Sequence, residues 1–256
     1  MKTAINRVAE PIALTEQVLL RIKEMIYSSN INDNDFYRTF RHSKLLPPEI
    51  LKTVFQQYYY YIRTFPQILA GTSHRVTNEV VRLRLARTVV SELGDGVGDP
   101  HFVLFERVLK SVGVELDDWN TASYIAEAAA LVNGLKDLFL AKPVPYAIGA
   151  HYVIEEFGFP MIVALYEGFR RYPGWKHEDF TYFFLHLVVE SEHVAWIEEA
   201  LTNQLACDPD SAAQIEAGAA AVLQLLGNFW RGLDMICQSR ATIRSGLNES
   251  IAGSVV

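Results

Sequence analysis

The chain has 256 residues, 50% of them hydrophobic and 21% charged, enough for one large domain or two small ones. Its 23 basic and 30 acidic side chains give a formal charge of −7 without a lysine or arginine cluster, which argues against nucleic acid or an anionic membrane as the main partner. Only two cysteines occur, Cys207 and Cys237, which excludes a disulfide scaffold and favours a reducing compartment, the cytoplasm.

Met1 to Glu10 is polar and mixed in charge, unlike a signal peptide. No uninterrupted apolar run reaches the roughly 18 residues of a membrane span. Residues 1–11 read as a flexible arm ending at Pro11, residues 12–243 as one helical domain, and residues 244–256 as a flexible tail. Apolar residues at helical spacing predict a first helix from Ile12 to Tyr27. A loop rich in asparagine follows, then a short helix over 35–42. Pro47-Pro48 opens a long helix to Leu69 that carries Tyr58-Tyr59-Tyr60-Tyr61. Gly71 and Thr72-Ser73 predict a break, with a new helix from near Val76 to Glu92.

The insert from Gly94 to Pro100 separates that helix from another beginning at His101. It lacks the GxxxxGK[ST] pattern and no strand precedes it, so it is not a phosphate loop. Further helices are expected over 121–140, from Tyr146 to Phe169 with a bend at Pro160, over 177–203, and from Asp210 to near Ser239. No segment alternates with period two. The expected architecture is all-α: a single helical bundle of seven to nine helices.

The most informative stretch lies within the 177–203 helix. His186, Glu190 and His193 stand at i, i+4 and i+7, within roughly 60° of one another on one helical stripe. Leu187, Val188, Val189 and Val194 surround them, so the helix is expected to be largely buried. Buried ionisable groups in a row are costly unless something neutralises them, and imidazole with carboxylate suits a transition metal such as iron or zinc. The plainer alternative is two satisfied core histidines with Glu190 as a partner. A metal centre in a bundle draws ligands from several helices. The other candidates are Glu92, His101, and Glu155 or Glu156. Glu92 and His101 would face opposite ways on a continuous helix, but the glycine-rich insert permits a turn that brings them together. Three carboxylates and three histidines suit a di-iron centre better than a single zinc.

These residues resemble the haem-oxygenase-like di-iron oxidases and oxygenases, relatives of the TenA and PqqC-type fold. The family pattern is a glutamate, a histidine, a glutamate on a central helix, then His-x3-Asp/Glu-x2-His. Here it reads Glu92, His101, Glu155, and His186-x3-Glu190-x2-His193, within a resemblance spanning roughly residues 34–203. Tyr152-Val-Ile-Glu155 matches the family's Tyr-x-Ile-Glu and selects Glu155 over Glu156. The resemblance implies two Fe(II) ions per chain with O2 as co-substrate. It also implies oxidation of a small carboxylate-bearing metabolite, an amino acid or fatty acid, by N-oxygenation, desaturation or C–C cleavage in specialised metabolism. Arg63 or Arg41 is a candidate to hold the substrate carboxylate. A homodimer and an external electron donor are open as further partners. The alternatives are a metal-free TenA- or PqqC-like enzyme of cofactor metabolism and a non-catalytic interaction protein of the same fold.

Overall fold

A computed structural model describes the backbone of residues 2–252 and the side chains of residues 13–239. The chain forms helices α1 (Lys2–Ser28), α2 (Asp35–His42), α3 (Pro48–Arg75), α4 (Glu79–Glu92), α5 (His101–Ser111), α6 (Ala126–Lys136), α7 (Val144–Phe169), α8 (Thr181–Cys207) and α9 (Ala212–Ala252). No strand occurs among the described residues, and the all-α bundle expected from the periodicities is what forms. The side chains of the arm and tail expected at 1–11 and 244–256 lie outside the described residues. Their backbone, from Lys2 and as far as Ala252, continues α1 and α9.

Helix α7 is the axis of the bundle, packed against both α8 and α9. It is buried on nearly every side because its sequence is apolar on nearly every side. By length and hydropathy it could cross a membrane, contrary to the expectation that no segment would reach that mark. Yet 78% of its most apolar window is buried against the other helices, and it carries His151, Glu155 and Glu156. Beside it, Trp230 of α9 stacks on Phe36 at 5.5 Å and meets Tyr37 at 4.8 Å and Tyr58 at 5.9 Å between ring centroids. This aromatic block ties α2, α3 and α9 together.

Glycines set how closely α7 and α9 approach. A Cβ added at Gly149 would lie 2.7 Å from the carbonyl carbon of Ile215, and one at Gly218 would lie 2.7 Å from that of Tyr146. Both obstacles are backbone, which cannot step aside as a side chain can. Gly149→Ala is therefore expected to destabilise the protein by about 3 kcal/mol or more, near 10 °C in Tm. An unchanged calorimetric transition would show that the two helices do not pack this closely.

Three element boundaries differ from expectation. Helix α3 runs through Gly71 to Arg75 because Thr72 returns its hydroxyl to Ile68 O at 2.9 Å and no cap interrupts the ladder. The break falls at residues 76–78, where the Asn78 side chain accepts from the amides of Val80 and Val81 and starts α4. Residues 121–125 are not helical: the Ile125 amide is held by Gln57 Oε1 at 2.9 Å, and α6 begins only at Ala126.

Candidate metal centre

Four helices converge on six side chains. Helix α4 ends at Glu92, and the glycine-rich turn reverses the chain there. Gly94, Asp95 and Gly96 take positive φ values of 89°, 54° and 73°, a region glycine enters freely. The turn is tight: a Cβ at Gly94 would lie 2.7 Å from Gly98 C. His101 thus opens α5 with Nδ1 3.2 Å from Glu92 Oε2. Helix α8 presents His186, Glu190 and His193 inward, all three buried, and α7 supplies Glu155. Nitrogen and oxygen atoms of Glu92, His101 and His186 lie within 4.8 Å of one another, and so do those of Glu155, Glu190 and His193. All six residues singled out from the sequence are brought together, as two adjoining trios. Glu156 is not among them. One residue on from Glu155, it turns outward to Tyr152 at 3.3 Å and Lys23 at 3.7 Å.

The donors are oriented from outside. His186 Nδ1 donates to Tyr182 O at 2.6 Å, which leaves Nε2 for an ion. His193 Nε2 lies 3.0 Å from Ser91 Oγ, and its Nδ1 faces Glu155 Oε2 at 3.2 Å. Metal-binding histidines are commonly held in this way. Ser91→Ala should lower metal affinity at the Glu155–Glu190–His193 trio about tenfold, readable in a Mn(II) titration. An unaltered isotherm would mean that Ser91 does not orient His193.

The arrangement is costly without a cation. Glu190 Oε2 is buried and has no hydrogen-bond partner, and His101 Nδ1 meets Glu92 Oε2 at 3.2 Å as an ion pair rather than a well-aligned hydrogen bond. Burial, then the Glu155 charge, pushes the Glu190 carboxyl well above its usual range. Burial also acts against the His193 charge, but Glu155 and the other carboxylates outweigh it and raise His193 to about 9. His186 falls to about 4, from burial and then the neighbouring His101. Burial works against Glu92 and Glu155 as anions as well, yet His101 holds Glu92 low, and His193 and His151 hold Glu155 low. Gly158 makes room for the Glu190 carboxylate, since a Cβ there would lie 2.7 Å from Glu190 Cδ. An orphaned carboxylate oxygen, a glycine cradle and a set of hard oxygens with imidazoles all fit divalent iron.

Two spaces adjoin the donors. A cavity of about 40 Å³ borders Glu92, His101, Glu155, His186 and Glu190, walled by Tyr58, Tyr61, Phe65, Met161 and Tyr182. A groove of about 540 Å³ opens between α1, α7 and α8, lined by Ile26, Tyr27, Phe159, Leu187 and Val194 with Glu155, Glu156 and Glu190. Neither is lined by Arg63 or Arg41. Arg63 lies over the rings of Phe102 and Trp119, and Arg41 pairs with Asp33 and Glu167, so both candidates for a carboxylate clamp are engaged elsewhere. Cys207 and Cys237 line neither space. Sequence reasoning passed over Ser91, Gly158 and His151. Of these only His151 carried a signal, four residues before Glu155 on an apolar helix.

A bundle of this kind with carboxylates and histidines at its centre defines a haem-oxygenase-like iron protein, and comparison with known proteins agrees. The chain belongs to the family of iron-containing redox enzymes, matched over residues 52–227. It is an iron-dependent oxidoreductase. It is 23% identical over 202 residues to a 4-chloro-allylglycine synthase of Streptantibioticus cattleyicolor, covering 78% of this chain and 76% of that one. Among solved structures it is similar to a CADD-like protein of unknown function from Nostoc punctiforme, with TM-score 0.72 and 21% identity over 89% of this chain and 98% of the other. A TenA homologue from Pseudomonas syringae gives TM-score 0.66 and 16% identity, covering 86% and 91%.

Proposed function

We propose that the chain is a di-iron oxidase that uses O2 to oxidise a small amino acid. The carrying observation is the pair of adjoining donor trios, each offering three ligand atoms within 4.8 Å. Glu92, His101 and His186 would hold one Fe(II), and Glu155, Glu190 and His193 the other. When bound, the iron pair supplies electrons and Lewis acidity for the reduction of O2.

The chain's own residues divide the remaining work. The cavity of about 40 Å³ has room for water or dioxygen and not for an amino acid. Tyr58 and Tyr182 share a hydrogen bond between their hydroxyls at 2.9 Å. The groove of about 540 Å³ is of the size that small-molecule sites take. Its apolar lining suits an aliphatic side chain. The likeness to an enzyme named for an amino-acid product supports the choice of an amino acid.

Anaerobic reconstitution with Fe(II), followed by metal analysis, tests the centre; two irons per chain are expected. The loaded protein is then exposed to O2 with a panel of aliphatic amino acids and fatty acids, and products are read by mass spectrometry. One iron or none defeats the di-iron reading, and turnover of fatty acids alone defeats the amino-acid one.

A further inference from the structure

His151 stands one helical turn before Glu155 on α7 and is 1% exposed. Its Nε2 is 2.6 Å from Glu155 Oε1. The ring lies edge-on to Phe65 at 5.8 Å and to Phe139 at 6.2 Å, and Nδ1 has no hydrogen-bond partner. An imidazole whose polar neighbour is a carboxylate on one side, with aromatic rings beside it, keeps its proton on the nitrogen that faces the carboxylate. An unpaired lone pair on Nδ1 costs less in that apolar pocket than an unpaired N–H. The two oxygens of Glu155 are then unequal. Oε1 is occupied by the His151 N–H, while Oε2 faces His193 Nδ1 at 3.2 Å, on the side of the donor trio.

We propose that His151 is a positioning residue of the Glu155–Glu190–His193 trio, whose Nε2–H holds Glu155 Oε1 so that the carboxylate offers a single oxygen, Oε2, to the ion. The inference rests on the metal reading given above. A carboxylate kept to one oxygen occupies one coordination position instead of two, and so leaves a position open at that ion for an incoming molecule. It also fixes the carboxylate plane, which a side chain four bonds from the backbone does not do by itself.

Two measurements test it. In wild-type protein loaded with Zn(II) and labelled with 15N at histidine, His151 should show a strongly hydrogen-bonded proton on Nε2. A proton on Nδ1, or a metal-bound Nε2, overturns the proposal. In Co(II) titrations, His151→Leu removes the donor and keeps the packing, while His151→Gln restores an N–H at similar reach. The leucine variant should bind its second Co(II) about 10- to 100-fold more weakly. Its visible absorption should also lose intensity, as expected when a second carboxylate oxygen enters the coordination shell. The glutamine variant should recover most of both. Folded variants with wild-type affinity and wild-type spectra would make His151 a space-filling residue. A wild-type protein that binds fewer than two Co(II) ions would defeat the two-metal centre itself, and the two failures are thereby told apart.

Discussion

Gly158→Ala is expected to cost the protein one of the two metal positions proposed for it while leaving the bundle folded. The added methyl group would lie 2.7 Å from Glu190 Cδ and 2.9 Å from Glu190 Oε1. What must move is the end of a flexible side chain, so the backbone of α7 and α8 can stay where it is. That side-chain end is also the proposed ligand. Alanine in a helix interior gains about 0.5–1 kcal/mol over glycine, which offsets part of the crowding. The outcome contrasts with that at Gly149, where the obstacle is the backbone of α9 and the fold itself suffers. Iron content should drop from two ions toward one, with at least a hundredfold loss of turnover, while the far-ultraviolet circular dichroism stays that of the wild type. Gly227→Ala meets nothing within 4 Å and serves as the control. A Gly158→Ala protein that keeps two irons and full turnover would mean that Glu190 is not held in the cradle as described.

How legible the site was depended on what fixes each residue's direction. His186, Glu190 and His193 share one helix, so their spacing alone settles that they face together. Glu92 and His101 lie on two helices, and their meeting depends on three consecutive left-handed residues in the turn. The glycines permit that conformation but do not dictate it. The choice between Glu155 and Glu156 could not come from composition, because adjacent helical residues differ by about 100° and both have apolar neighbours. It came from likeness to a family motif, and the structure turns Glu156 toward Lys23. Ser91 gave no signal, since its role depends on α4 crossing α8 and no periodicity encodes that crossing. Helix ends were misplaced for a related reason. The Ile125 amide is held by Gln57, which lies 68 positions earlier in the chain, and a local pattern is blind to such a contact.

Metal uptake should expel protons and should tighten steeply as pH rises, more at one trio than at the other. In the metal-free protein His193, raised to about 9, carries a proton at neutral pH, and the Glu190 carboxyl, raised well above its ordinary range by burial and the Glu155 charge, gives up its proton less readily than an ordinary carboxyl. Protonated side chains ligate poorly, so an ion entering the Glu155–Glu190–His193 trio must displace the His193 proton and any that Glu190 holds. Each displaced proton makes affinity rise tenfold per pH unit, and for His193 the rise continues until about pH 9. At the other trio His186, lowered to about 4, and Glu92, held below its usual range, are already in their ligating forms. Fold stability moves the opposite way. A histidine with a folded pKa above its unfolded value stabilises fully below about pH 6.5, and that contribution is lost as pH climbs through about 9. Rising pH therefore weakens the metal-free fold through His193 while it strengthens metal binding. The rise in Tm on adding saturating Mn(II) should be several degrees larger at pH 8.5 than at pH 6.5. An indicator dye in weak buffer at pH 7 should record at least the His193 proton released as the Glu155–Glu190–His193 trio fills, and less release as the other trio fills. A metal-induced Tm shift independent of pH, together with no proton release, would mean that these two side chains do not meet the ion.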